Sequence, residues 1–140
     1  MLPITPPTVT LLFAAALGLV NMWLAFRAGS LRMKGKAAVG DGGDPLMTAR
    51  MRAHANFSEY VPLALILMAL IEVTTGHGTG LWVIGALLVV GRLMHPFGME
   101  RPVPNVLRMG GILLTWATTL ALVLWALWIV LHPAPGVIYF

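Results

Sequence analysis

Hydrophobic positions along this chain gather into four runs, at about 8–27, 60–75, 79–98 and 106–132, separated by short stretches that carry Gly, Pro and charge. A helix that crosses a bilayer needs roughly 20 mostly apolar residues. The first and last runs meet this easily. The third is tight, because Gly80 and Pro96 bracket its apolar part, and it is expected to end in a turn within the headgroup layer. The second run is shorter than the helix that carries it. "GDGGDP" (40–45) reads as a loop, with Asp44 as N-cap and Pro45 as the first helical residue. A helix from Pro45 to Val73 extends on the order of 43 Å, against a hydrocarbon core of about 30 Å. Its first turns therefore project from the membrane, with Arg50 and Arg52 near the interface. The expected helices are about 8–27, 45–75, 79–98 and 106–132, in one four-span domain over residues 1–140. The fold class is all-α, an integral-membrane four-helix up-down bundle.

Composition strengthens this reading. Of 140 residues, 59% are hydrophobic and 10% charged, whereas a soluble domain carries roughly 25% charge. One soluble core of this length cannot hide so much apolar surface, so lipid is the solvent. The chain has no cysteine, which excludes a disulfide framework, a thiolate metal site and a cysteine nucleophile. Any thiol chemistry must use a ligand's sulfur, and no metal site is expected. "MLPITPPTVT" contains no Lys or Arg, so the first run reads as a retained span rather than a signal peptide.

The net charge of +4 reads as orientation rather than nucleic-acid binding. Arg27, Arg32, Lys34, Lys36, Arg50 and Arg52 lie between the first two spans or at their edges; Arg92, Arg101 and Arg108 surround the connection between the last two. With four spans both basic regions fall on one side. The positive-inside rule makes that side cytoplasmic and puts both termini on the other. The five tryptophans serve either as interfacial anchors or as packing between helices.

The chemistry gathers where the second helix enters the membrane, in "RAHANFSEYVP" (52–62). Arg52, Asn56 and Glu59 are related as i, i+4 and i+7 and fall within about 60° of one another on a helical wheel. His54 lies on the far side of that wheel. Two arrangements fit the polar face: an Arg52–Glu59 ion pair with Asn56 as a packing hydrogen bond, or a polar pocket between helices, the usual setting for ionisable groups at membrane depth. Pro62, just beyond, deletes one backbone hydrogen bond; a kink there and an ordinary tolerated membrane proline are both open. At the start of the fourth helix Asn105 is an N-cap and Arg108 lies in the first turn. A cation there opposes the helix dipole. It either snorkels to headgroups or helps hold an anion, for which a thiolate is suited. Glu72, at the far end of the second helix, reads as an interfacial residue.

"RAHANFSEYVP" also resembles the helix-two signature of the membrane-associated proteins in eicosanoid and glutathione metabolism (MAPEG), roughly R-A-x-x-N-x-x-E-[YT]-x-P. Arg52, Asn56, Glu59, Tyr60 and Pro62 match it, and "GDGGDP" with "GRLMHPFGMERP…LRMGG" resembles bacterial members. The resemblance covers most of the chain. It implies a four-helix membrane protein assembled as a homotrimer, with glutathione bound as co-substrate between subunits near the cytoplasmic face. It implies glutathione-binding roles for Arg52, His54, Asn56, Glu59, Tyr60 and Arg27, and a catalytic, thiolate-stabilising role for Arg108. Two positions depart from the pattern. The end of the third helix lacks the tyrosines of the eicosanoid enzymes and has Phe97, and Met109 replaces a serine found in one prostaglandin-forming branch. Both argue against prostaglandin synthesis.

The expected activity is a membrane-bound glutathione-dependent transferase or peroxidase acting on lipophilic electrophiles. The partners are a second and third copy of the chain, membrane lipid and the lipophilic substrate. A lipid-binding or scaffold member without catalysis is the alternative. A small transporter fits less well, because transporters place ionisable groups near the midplane and these cluster at one edge.

Overall fold

The computed structural model describes residues 6–35 and 39–133. It is a four-helix bundle of α1 (Thr8–Lys34), α2 (Pro45–Thr75), α3 (Thr79–Met99) and α4 (Val106–Leu131), and each helix is long and apolar enough to cross a membrane. α3 and α4 pack most extensively, α1 packs chiefly on α2, and α2 touches all three others. The core is a ladder of apolar side chains that includes Phe13, Leu17, Phe57, Val61, Met68, Leu88 and Leu122. The outer surface is equally apolar. Leu113, Trp116, Leu120, Leu124 and Trp128 of α4 are all more than half exposed. An apolar exterior of this extent is stable only against lipid.

Helix ends follow local signals in two places. Asp44 accepts from the Leu46 amide at 2.8 Å with Pro45 following it, and Asn105 accepts from the Arg108 amide at 2.9 Å. In the loop before α2, Asp41 accepts from the Thr48 hydroxyl and from the Gly43 amide, and these bonds, the hydroxyl's first, hold its carboxyl below the usual aspartate value.

The end of α1 departs from expectation. α1 continues past Arg27 to Lys34, because "AGSLRMK" contains no proline, its single Gly29 costs only about 1 kcal/mol in a helix interior, and a charged helix is readily solvated beyond the membrane edge. α3 runs through Pro96 to Met99, within a residue of the expected 79–98. α2 is one continuous helix through Pro62.

The largest departure is Glu72. Far from being an ordinary interfacial carboxylate, its side chain is wholly buried. It accepts from the backbone amides of Val9 at 2.8 Å and Thr10 at 2.7 Å, and His77 Nδ1 donates to it at 2.7 Å. α1 has no capping side chain of its own at Pro7. The Thr8 amide donates to Pro6 O, and the Leu11 amide begins the helical ladder on Pro7 O. The two remaining amides of the first turn are therefore satisfied by α2. A carboxylate at that end also complements the helix dipole.

Candidate functional site

At the end of the bundle where α2 and α4 begin, three helices enclose a polar recess of about 130 Å³. α2 supplies Arg52, Asn56 and Glu59; α3 supplies His95 and Met99; α4 supplies Arg108 and Ile112. The helical spacing of Arg52, Asn56 and Glu59 thus turns one face of α2 towards the bundle. Arg52 and Glu59 share the recess without an ion pair; among the described residues Glu100 and Glu72 hold the ion pairs.

Arg108 is held from two directions. Asn105 caps its amide, and the Asn105 side-chain amide donates to Gly98 O at 2.9 Å and Pro102 O at 3.1 Å. The start of α4 also lies directly on α3. A Cβ at Gly98 would stand 2.2 Å from Arg108 N and 2.5 Å from its Cα. One turn further, a Cβ at Gly111 would stand 2.7 Å from Gly91 O and 2.8 Å from His95 Cβ. Only glycine permits main chains to approach this closely. Arg108 is therefore positioned by backbone contact.

Behind the recess lies Arg92, a residue that the sequence reading used only for orientation. It is 1% exposed. Its Nη1 donates to Asn56 Oδ1 at 2.9 Å and its Nη2 to Gly111 O at 3.2 Å; its buried Nε has no partner among the described residues. With its oxygen engaged by Arg92, Asn56 keeps its amide donors for the recess. The signal was present in the sequence, since a guanidinium inside an apolar span usually faces a bundle interior. His95, on the same helix, is also buried and hydrogen-bonds through Nδ1 to Arg108 O at 3.4 Å.

The other candidate residues lie apart. His54 faces α1, where its Nε2 donates to Asn21 Oδ1 at 3.0 Å, beside a groove that also borders Arg32 and Met51. Tyr60 is half-buried and outside the recess lining. Arg27 pairs with Glu100, which also accepts from Arg50 Nε at 2.8 Å. The Arg27 guanidinium sits 4.6 Å from the Trp23 ring and 5.4 Å from the Phe97 ring. Phe97, where the resemblance led one to look for tyrosine, thus serves a cation–π cluster that ties α1 to the end of α3.

Beyond Arg108 a second cavity of about 310 Å³ opens, lined by Val103, Pro104, Asn105, Met109 and Leu113 together with Arg108 and Ile112. Its walls are almost entirely apolar. Arg108 and Ile112 border both spaces, so a polar compartment and an apolar one share these two residues as a common wall.

Comparison with known proteins agrees with this architecture. Residues 10–128 match the model of the MAPEG family. Two curated relatives, each named inner membrane protein YecN, come from Escherichia coli K12 and Escherichia coli O6:H1. Each is 34% identical over 120 residues, covering 86% of this chain and 91% of the relative.

Proposed function

From the premise that the chain belongs to the MAPEG family, which includes glutathione transferases, we propose that it is a glutathione-dependent transferase acting on lipophilic electrophiles. The observation that carries this reading is that Arg108 borders both the polar recess and the apolar cavity. A conjugation reaction needs such a junction, because the thiol donor is a polar peptide and its acceptor partitions into lipid.

The chemistry divides among the residues by charge. Arg52 pairs a glutathione carboxylate, Glu59 its ammonium, and the Asn56 amide a peptide carbonyl. Arg108 favours the thiolate over the thiol, and the thiolate attacks the electrophile. Arg27, His54 and Tyr60 take part from outside the recess. Glutathione is much larger than a 130 Å³ space, which holds the liquid volume of only about four waters. A neighbouring subunit completes the cleft, and the assembly is a homotrimer, as the family resemblance implies. His54 and Arg27, which lie outside the recess lining, then serve the adjoining copy's ligand, giving up part of their contacts to Asn21 and Glu100. The basic loops and the recess face the cytoplasm, where glutathione is supplied, and both termini face the opposite side.

Calorimetric titration of the detergent-solubilised protein with glutathione, followed by conjugation of a lipophilic aryl halide, tests the reading. Saturable binding, a thiolate absorbance and product formation are expected. If binding and conjugation are both absent, the transferase reading fails and the non-catalytic lipid-binding member takes its place.

A further inference from the structure

Resting on that reading of the recess, we propose that His95 is the general base that takes the thiol proton from the sulfur held at Arg108. A guanidinium can stabilise a thiolate but cannot accept the proton that its formation releases. The recess contains two side chains able to accept one, the Glu59 carboxylate and the His95 imidazole. An imidazole ordinarily titrates about 2 pH below a thiol and a carboxylate about 4 below it, so the imidazole is the closer match. Glu59 is also the recess's one anion and is exposed, which suits it to the ligand's ammonium.

The geometry fixes the tautomer. His95 Nδ1 faces the backbone oxygen of Arg108 at 3.4 Å, and a carbonyl oxygen only accepts. Nδ1 therefore carries the hydrogen, and in the neutral ring Nε2 carries the lone pair. The same contact ties the ring to the residue that stabilises the sulfur. α3 and α4 cross so closely here that a Cβ on Gly111 would meet His95 N and Cβ within 3 Å, which denies the histidine backbone room to shift. The charged groups around the ring are Arg92 on its own helix, Arg52 and Glu59 from α2 and Arg108 from α4.

The step balances simply. The S–H bond breaks, its electron pair stays on sulfur, and the proton forms an N–H bond at His95 Nε2. The thiolate then forms a C–S bond to the aryl carbon, halide leaves with its electron pair, and the imidazolium returns the proton to solvent. Two measurements test this. The first uses the wild type, with glutathione binding followed by thiolate absorbance and by calorimetry in two buffers of different ionisation heat. Thiolate formation with no net proton release is expected; one proton released per thiolate formed overturns the proposal. The second uses His95→Gln, whose amide can still donate to the Arg108 carbonyl. Its kcat/KM is expected to fall about 100-fold near neutrality with glutathione affinity retained, and the loss should shrink as pH approaches the ordinary thiol range of about 8.5. If the wild type conjugates and His95→Gln keeps its rate and pH profile, His95 is not the base, while the transferase reading stands. If the wild type neither binds glutathione nor forms a thiolate, both fall together.

Discussion

Replacing Glu72 with alanine should loosen α1 at its first turn. In the native protein Val9 and Thr10 are 2% and 6% exposed, so water cannot take over the two amide bonds that the carboxylate accepts. A buried donor left without a partner costs about 1–3 kcal/mol, and two such donors cost about 2–6. Loss of an anion at a helix N-terminus adds about 0.3–1 kcal/mol. Glu72→Ala should therefore destabilise the bundle by about 2–7 kcal/mol. Glu72→Gln keeps one acceptor oxygen and should cost roughly half as much. Reversible unfolding in mixed micelles gives the free energies, and amide hydrogen exchange at residues 9 and 10 reports the local effect. A Glu72→Ala protein within about 1 kcal/mol of wild type, with exchange at these amides unchanged, would refute the idea that α2 caps α1.

Arg108→Ala should lower turnover with an aryl halide far more than it lowers glutathione affinity, because the lost interaction is confined to the reactive sulfur; comparison of kcat with the calorimetric Kd decides it. Gly98→Ala should separate α3 from the start of α4, costing about 1–3 kcal/mol and reducing conjugation, as read by thermal unfolding beside activity; an unchanged protein would contradict the 2.2 Å approach to Arg108 N. Since the chain lacks cysteine, single cysteines at Val39 and Thr79 should react with an impermeant reagent from opposite faces in intact cells, and outside labelling of position 39 would invert the proposed topology. The folded-state value of Asp41 is depressed, so its contribution to stability is present at neutral pH and is lost as pH falls below about 4; Thr48→Val should raise the Asp41 titration midpoint, followed by carboxyl NMR.

What the sequence disclosed and what it concealed divide by range. The four spans and the caps at Asp44 and Asn105 are local, written within a few residues of where they act, and they could be read directly. So could the shared face of Arg52, Asn56 and Glu59, because helical periodicity alone sets it. The bond from Glu72 to the start of α1 joins positions 63 residues apart, and no periodicity links them. Arg92 was concealed differently. Its charge near the end of a span fits the orientation rule, which hid the signal of a guanidinium inside an apolar run, and its partners, Asn56 and the Gly111 carbonyl, come from two other helices that no local pattern names. His95 gained meaning in the same way, since its tautomer depends on a carbonyl from another helix.

The glycine crossing of α3 and α4 bears on how such a protein can diverge. No side-chain layer separates the two main chains at Gly98 and Gly111, so the location of Arg108 does not depend on the volumes of surrounding residues. Trp116, Leu120 and Leu124 are exposed on the same helix and lie outside both spaces that Arg108 borders. Drift at those positions leaves the guanidinium where it is, provided they stay apolar, whereas one added carbon at position 98 displaces it. Changes in membrane composition can thus be absorbed on the outer face of α4 while its first turn is kept constant, and sequence tolerance should differ sharply between the two sides of a single helix.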